Sequence, residues 1–150
     1  AQINQVNIGS FCSIARSVSI QEYDHNNKFL STYFIQEHIF NEDWTRAILS
    51  KGPITIGNDV WVGDNSVVIK GVQISNGAIV AAGSIVTSDV APYSIVAGNP
   101  ARHIRTRFPD KVIERLLLTN WWEYSMQELS DVPFDDIDKS LEILEEKQFK

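Results

Sequence analysis

The chain has 150 residues, 43% of them hydrophobic, which suits one compact unit with a sizeable core. Its formal net charge of −6 makes nucleic acid an unexpected partner. Because there is neither an apolar run of about 18 residues nor a signal segment, we expect no membrane insertion and a soluble, cytoplasmic protein. The only cysteine, Cys12, excludes an internal disulfide. The chain opens with Ala1 rather than Met, which leaves room for an upstream portion.

A six-residue period runs through the first part of the chain. An α-helix has a period of about 3.6 and a paired strand a period of about 2, so neither fits. The pattern predicts a parallel coil with three short sides per turn, so that residues one turn apart stack about 4.8 Å above each other. The aliphatic positions, which should face the interior, are Ile8, Ile14, Ile20, Ile56, Val62, Val68, Ile74, Val80 and Val86. Small or β-branched residues follow four positions later, at Cys12, Val18, Val60, Ser66, Val72, Ala78, Ser84 and Val90.

Residues 21–55 interrupt this period with a segment rich in aromatic side chains. Ile20 and Ile56 are 36 positions apart, so the period resumes in the same phase after the interruption. We interpret the segment as an insertion that leaves the coil. A loop of this length is usually functional or disordered, and its aromatic content argues against disorder. We therefore expect it to pack against another surface, such as a neighbouring subunit.

The period ends after Val90, and the sequence predicts that Pro92 stops the coil. The stretch VAGNPARHIR then leads out of it, and Pro109 with Asp110 gives a helix start signal. Two amphipathic helices are expected beyond that point. Their apolar faces are Val112, Ile113, Leu116 and Leu117 in the first, and Ile137, Leu141 and Leu144 in the second. The predicted organisation is a β-coil over residues 1–100 and an exit segment with a C-terminal helical region over residues 101–150.

The sequence ITIGNDVWVGDNSVVIKGVQISNGAIVAAGSIVTSDVAPYSIVAGNPARHIR resembles the hexapeptide-repeat acyltransferases, in particular their acetyl-CoA branch. Two other stretches, YDHNNKFLSTYFI and NWWEYSMQEL, are similar to motifs of the xenobiotic branch. That branch includes chloramphenicol and streptogramin acetyltransferases and related capsule or lipopolysaccharide O-acetyltransferases. The resemblance implies a mainly β fold, a left-handed parallel β-helix with an extended loop insertion and C-terminal α-helices. One departure is that Ile35 follows Phe34 and the loop motif contains no proline.

The resemblance also implies an activity and a set of site residues. It implies an O-acetyltransferase that works as a homotrimer, uses acetyl-CoA as co-substrate without a metal, and transfers acetyl directly to a hydroxyl. The attacking hydroxyl must lose its proton, and histidine suits that role near neutral pH. His25 matches the catalytic histidine of the family. The residues expected near coenzyme A are Asp64, Ala82, Thr87, Ser88, Arg102 and Arg105, and those expected near the acceptor are Tyr33 and Trp61.

Part of the expected coenzyme A site has independent support. Asp64 and Ala82 are 18 positions apart, so they should stack on one side of the coil within reach of an extended ligand. Arg102 and Arg105 can neutralise phosphates, although a solvated surface patch is the alternative. Trp61 should face outward, where it can wall the acceptor site or an interface between subunits.

Other residues offer competing interpretations. His38 lies on the same segment as His25 and suits a surface or packing role, while His103 lies between the arginines of the exit segment and suits phosphates. Cys12 could suggest a covalent acyl intermediate, but it occupies a small-residue position of the repeat.

The function itself has three alternatives. The missing proline favours a bacterial surface sugar as acceptor over an antibiotic. A γ-carbonic anhydrase would need three histidines that converge on zinc, and the three histidines here are spread over the insertion and the exit segment. A non-catalytic scaffold is disfavoured because His25 and both arginines are present.

Overall fold

The computed structural model describes residues 6–21 and 23–148, so Ala1 lies outside the described residues. Two compact units divide the chain, one ending at Arg105 and the other beginning at Thr106. This division falls five residues after the boundary expected at residue 100. None of the helices in the described ranges has the length and apolar character that crossing a membrane requires.

The first unit is built from short strands that join three separate sheets in turn. The strands are β1 (Val6–Ile8), β2 (Ser13–Ile14), β3 (Ser19–Gln21), β4 (Asp24–His25), β5 (Ile48–Leu49), β6 (Ile54–Ile56), β7 (Trp61–Val62), β8 (Val67–Ile69), β9 (Gln73–Ile74), β10 (Ile79–Val80), β11 (Ile85–Val86), β12 (Ser94–Ala97) and β13 (Arg102–Thr106). Along the chain, the strands β6, β7 and β8 enter the β1-β6-β9 sheet, the β13-β12-β10-β7-β2 sheet and the β11-β8-β3 sheet in turn, and β9 then returns to the first. This order is that of a three-sided coil.

The predicted 18-residue repeat is confirmed by the strand register. Val62 pairs with Val80 and Val68 with Val86, each 18 positions apart, and all these pairs are parallel. The first coil pairs with the next one at a larger offset, because Ile20 lies beside Val68, 48 positions away. The same offset of 48 holds for Ile8 with Ile56 and Ile14 with Val62. Between the first coil and the second, the chain therefore contains 30 residues (48 minus 18) beyond one turn.

From Ile56 to Val86 the aliphatic positions of the repeat form one enclosed interior, as predicted, whereas Ile8 and Ile14 in the first turn are 48% and 40% exposed, so the prediction was wrong for these two. Ile56, Val62 and Val68 belong to a single buried cluster and are at most 1% exposed. The small positions from Val60 to Val90 are buried as well, whereas Cys12 and Val18 are half-buried. The hydroxyls of Ser66 and Ser84 both donate to the carbonyl of Ala81, at 3.1 and 2.6 Å. A serine is tolerated in this apolar shaft because its hydroxyl finds a backbone acceptor.

The corners between the sides of the coil repeat every six residues. One residue at each of the corners named below has a positive φ, and at three consecutive corners it is a glycine with φ of +70°. Glycine adopts this left-handed conformation without a Cβ penalty, whereas asparagine and aspartate are the next most tolerant residues. The positions are Phe11, Ser17, Asp59, Asn65, Gly71, Gly77 and Gly83, six residues apart within each run.

The coil does not end at Pro92, so that prediction was wrong. Strand β12 continues the second sheet, with Val96 beside Val80, and Val90 bridges to Ile74. Both offsets are 16 instead of 18, because this turn is two residues shorter than the others. The shortening moves Val90 and Val96 from the small-residue phase into the aliphatic phase, because they pair with Ile74 and Val80. The stretch VAGNPARHIR therefore begins within the coil.

Residues 24–49 form local structure of their own within the first unit. Strands β4 and β5 pair antiparallel in a separate two-stranded sheet, with His25 opposite Ile48. Between them lie the short helix α1 (Ile35–His38) and a 3-10 helix (Trp44–Ala47). The side chain of Asp43 begins the second of these by accepting a hydrogen bond from the backbone N–H of Thr45. The segment is thus folded, as its aromatic content suggested.

The second unit is helical, as predicted. Helix α2 (Asp110–Thr119) begins after Pro109 and ends at Asn120, which is left-handed, and helix α3 (Ile137–Gln148) follows a 3-10 turn (Trp121–Glu123). Apolar side chains from both helices are buried. Arg115 donates two hydrogen bonds to the Glu145 carboxylate, at 2.7 and 2.8 Å, which links α2 to α3 and lowers the pKa of that carboxyl.

We predict that the coil interior tolerates no cavity. Ile56→Ala should lower the free energy of unfolding by about 2–5 kcal/mol, because Ile56 is 1% exposed and the rigid coil cannot collapse around the gap. Ile104→Ala is the matched control, since Ile104 also lies on a strand but is 60% exposed, and should cost about 0.5 kcal/mol or less. Denaturant unfolding monitored by circular dichroism measures both values, and equal losses would contradict the enclosed interior.

Candidate active site

His25 is exposed and lies at the end of the short strand β4. Its backbone pairs with that of Ile48 in the neighbouring strand β5. At the next residue, the N–H of Asn26 donates to the carbonyl of Ala47 at 2.7 Å. The imidazole is thus accessible while its backbone is held in an antiparallel ladder. This combination suits a side chain that exchanges a proton with a ligand.

A backbone carbonyl orients the ring of His25. Nδ1 lies 2.5 Å from the carbonyl oxygen of Thr32. A carbonyl oxygen can only accept a hydrogen bond, so Nδ1 must carry the proton, and in the neutral ring Nε2 then keeps a free lone pair. The loop therefore selects the tautomer in which Nε2 can act as a base.

Phe34 supports the same ring from its face. The two ring centroids are 4.3 Å apart at an interplanar angle of 25°, a stacked arrangement. Phe34 also meets the edge of His38 at 6.1 Å, and Tyr33 meets His38 at 5.1 Å. Tyr33, expected near the acceptor, therefore belongs to the same aromatic cluster as His25 and remains exposed. His38 sits at the surface near Glu37, as the sequence suggested.

Asp64 and Ala82 lie in adjacent turns of the coil, as their spacing predicted. The backbone N–H of Gly83 donates to the carbonyl of Asp64 at 2.8 Å, and a Cβ added at Gly63 would lie only 2.5 Å from the backbone nitrogen of Ala82. The carboxylate oxygen Oδ1 of Asp64 is buried without a hydrogen-bond partner. A buried acceptor of this kind is costly unless a donor meets it, and the amide N–H groups of a pantetheine arm are donors. The residues present therefore fit the coenzyme A expected from the sequence.

A cavity of about 360 Å³ lies beside the last turn of the coil. Ser88 and Arg102, both expected near coenzyme A, line it together with His103 and Asp89. Arg105 lies three residues further along strand β13. Because neighbouring side chains of a strand alternate between its faces, Arg102 and Arg105 project in different directions rather than as one pair.

Thr87 and Trp61 are exposed, but the structure does not join them to the groups above. Thr87 follows strand β11, one residue before Ser88. Trp61 lies on strand β7 between Ser13 and Ile79 and is 53% exposed. Within residues 6–21 and 23–148, no ring contact or hydrogen bond connects Trp61 to His25.

Cys12 is held as a structural thiol. Its Sγ donates to the carbonyl of Gly57 at 3.0 Å, and burial raises its pKa. A thiol with a raised pKa forms little of the thiolate that nucleophilic catalysis needs. In the described part of the chain, no three or more His, Cys, Asp or Glu side chains are grouped so that they could hold a metal ion.

Several known proteins are similar to this chain in sequence and in fold. The sequence model described as "Bacterial transferase hexapeptide (six repeats)" matches residues 53–88. A probable macrolide acetyltransferase of Lysinibacillus sphaericus is 42% identical over 132 residues, which are 83% of this chain and 72% of that protein. The chain belongs to the hexapeptide-repeat acetyltransferase family.

Two further members of the family extend the comparison. A chloramphenicol acetyltransferase of Klebsiella aerogenes is 38% identical over 134 residues, 85% of this chain and 63% of that protein. A galactoside acetyltransferase solved in complex with coenzyme A is 32% identical with a TM-score of 0.53, over 70% of this chain and 50% of that one. The chain thus spans less than two thirds of the length of these two relatives.

Two features of the site were not predicted from the sequence. The Thr32 carbonyl is a backbone group, and every residue has one, so its role depends on the path of the loop. Lys70 lies on the coil and forms an ion pair with Asp24, 46 positions away. A charged lysine directly after the apolar strand β8 is unusual in this sequence, but no neighbouring residue indicates that Asp24 is its partner.

We predict that neutral His25 carries its proton on Nδ1. At alkaline pH, where imidazoles are neutral, long-range ¹⁵N–¹H correlation spectra should show the Nδ1–H tautomer for His25 because the Thr32 carbonyl accepts that proton. His25→Gln assigns the signal by its disappearance. A dominant Nε2–H form would contradict the proposed orientation.

Proposed function

We propose that the chain carries the donor-binding coil and the catalytic base of an acetyl-CoA-dependent O-acetyltransferase. The observation that carries this proposal is the hydrogen bond from His25 Nδ1 to the Thr32 carbonyl, because in the neutral ring of this exposed side chain it leaves the lone pair on Nε2. The family membership and the coenzyme A bound to the galactoside acetyltransferase support the choice of donor.

The reaction follows from the chemistry of these groups. Nε2 of His25 accepts the proton of the acceptor hydroxyl while its oxygen attacks the thioester carbonyl carbon. A tetrahedral intermediate forms, its C–S bond breaks, and the acetyl group stays on the acceptor oxygen as an ester. The imidazolium then returns the proton to the coenzyme A thiolate, so His25 ends each cycle neutral. The Thr32 carbonyl stabilises the imidazolium in between, since Nδ1–H donates to it throughout.

Direct transfer fits the side chains better than a covalent acyl intermediate. Cys12 has a raised pKa and points its thiol at the Gly57 carbonyl. His25 instead has an accessible nitrogen that can serve as base. Direct transfer between two bound substrates therefore needs no nucleophile from the protein.

We also propose that the coil is left-handed, that residues 21–55 are an insertion into it, and that the active unit is a homotrimer. The register offset of 48 instead of 18 supports the insertion. Asp24 points to the coil through Lys70, and strand alternation then turns His25 away from it. A base that faces away from its own coil suits a site completed by a neighbouring subunit. Exposed apolar side chains on the segment, including Leu30, Ile39 and Phe40, are consistent with such a surface.

The acceptor proposed first is a sugar hydroxyl of a bacterial surface polysaccharide. The site combines exposed aromatic and polar side chains, which suits a carbohydrate, and one family member solved with coenzyme A is a galactoside acetyltransferase. An antibiotic hydroxyl is the second candidate. It is favoured by the 38% and 42% identity to the chloramphenicol and macrolide acetyltransferases.

We predict that His25→Gln lowers kcat by about 10²–10⁴-fold with little change in the KM for acetyl-CoA, because it removes general-base catalysis and leaves the coil intact. His38→Gln is the matched control and should keep kcat within about twofold. Release of the coenzyme A thiol is measured with oligosaccharides, chloramphenicol and a macrolide as acceptors. Wild-type turnover in His25→Gln would end the assignment, and the best acceptor decides between sugar and antibiotic.

We further predict that Arg102→Gln and Arg105→Gln each raise the KM for acetyl-CoA by about tenfold, since each loses a charge-assisted contact to a phosphate. Because the two side chains leave β13 in different directions, their effects should add in the double variant. Acetyl-pantetheine, which has no phosphates, is the control substrate. An equal rise of its KM would show that the arginines do not bind phosphate.

A further inference from the structure

The strand that carries His25 is tied to the coil by an ion pair. Lys70 Nζ contacts Asp24 Oδ2, and Asp24 directly precedes His25 on β4. The Lys70 side chain is 10% exposed, whereas that of Asp24 is 59% exposed. A lysine ammonium with so little access to water needs a charged partner, since an unpaired buried charge is strongly unfavourable. Asp24 supplies it, so the pair holds β4 at one defined place on the coil.

The residue after Lys70 receives the other end of the segment. Gly71 begins the next turn of the coil with φ of +70°, and a Cβ added there would lie 2.5 Å from the Cβ of Lys51 and 3.0 Å from its carbonyl oxygen. Lys51 follows strand β5, the partner of β4. The absence of a side chain at Gly71 therefore lets the returning chain pack directly on this turn.

These two contacts are made by adjacent residues of the coil, and together they hold both strands of the antiparallel β4–β5 pair, which is called the hairpin below. Lys70 binds β4 through Asp24, and Gly71 accommodates the chain that leaves β5. The hairpin consists of two residues per strand, so little else within it can fix its height or tilt. A docking point one residue from His25 thus controls where the imidazole stands above the coil.

We propose that Lys70, Asp24 and Gly71 are positioning residues that dock the base-bearing hairpin. The docking fixes where His25 Nε2 presents its lone pair relative to the acetyl donor. This inference rests on the proposed acetyltransferase function. Misplacement of a catalytic group by about 1 Å can cost on the order of 10²-fold in rate, so a docking contact this close to the base has a large effect on kcat.

The kinetic test removes one charge at a time. Asp24→Asn and Lys70→Gln should each lower kcat by about 10- to 100-fold with the KM for acetyl-CoA unchanged, because the donor site on the coil is not touched. The double variant should be no slower than the worse single variant, since both remove the same contact. Lys70→Arg keeps the charge and should restore at least a third of the activity. Asp43→Asn is the matched control, because Asp43 lies on the same segment but bonds only locally to Thr45 in the described structure.

A second readout does not depend on activity. Backbone hydrogen exchange should quicken by at least about tenfold at residues 23–26 and 47–50 in Asp24→Asn and Lys70→Gln, and stay as in the wild type in Asp43→Asn. Gly71→Ala should quicken exchange at the same residues. Gly83→Ala should not, although Gly83 has the same φ of +70°, because a Cβ there meets nothing within 4 Å.

The outcomes separate the two proposals. If no acceptor is acetylated even by the wild type, the proposed function fails while hydrogen exchange still decides the docking. Unchanged exchange in Asp24→Asn would overturn the docking whatever the activity. A fall in kcat accompanied by an equal rise in the KM for acetyl-CoA and a lower Tm would also overturn it, since that is the pattern of general destabilisation.

Discussion

The stacking of strands one turn apart is the constraint on which the rest of the structure depends. Every side of the coil donates its backbone hydrogen bonds to the turn beside it, for example from Gly57 to Ile74 at 2.7 Å and from Gly63 to Val80 at 2.8 Å. Each inward aliphatic residue therefore lies on another one, and a shift of register would expose both. Because only the register matters, the chain can leave the coil between two turns and return, provided that it resumes opposite the same partner. Residues 24–49 lie between two such paired positions, Ile20 before them and Ile54 after them, which is the arrangement that the proposed insertion requires.

This freedom explains how the functional groups are divided. The groups expected to hold an extended donor, such as Asp64 and Ser88, lie on or directly beside the rigid coil, where backbone pairing fixes their spacing. His25, the proposed base, lies on residues 24–49, where the pairing of β4 with β5 and the Thr32 carbonyl determine the direction and tautomer of its ring. A rigid donor surface and a separately docked base can change independently, because the contacts that hold one are not those that hold the other. The ion pair of Lys70 with Asp24 is where the two parts meet.

Structural features that repeat along the coil could be predicted from the sequence, whereas features that occur only once could not. The six-residue period predicted the three-sided coil, its interior and the stacking of Asp64 beside Ala82, because one physical rule applies at every turn. It failed at Pro92, where a single turn is two residues shorter and Val90 takes a position in the aliphatic phase beside Ile74. His25 was identified through resemblance, but its orientation depends on a carbonyl that no side-chain pattern reveals. The Lys70 pair was equally hidden, since it joins residues whose proximity follows only from the return path of an irregular segment.

The acceptor side of the site follows a different logic from the donor side. The segment that carries His25 also carries three exposed apolar or aromatic side chains, Tyr33, Ile39 and Phe40. The described contacts of the His25 ring are with Thr32 and Phe34, which belong to the same segment. Apolar side chains gathered at an exposed position are unfavourable unless something covers them, and a second copy of the coil or a bound acceptor would do so. In either case the surface proposed to select the acceptor is built from non-repeating residues. Differences in acceptor between members of the family can then arise in this segment while the coil keeps its register, which is why the fold alone does not determine the substrate.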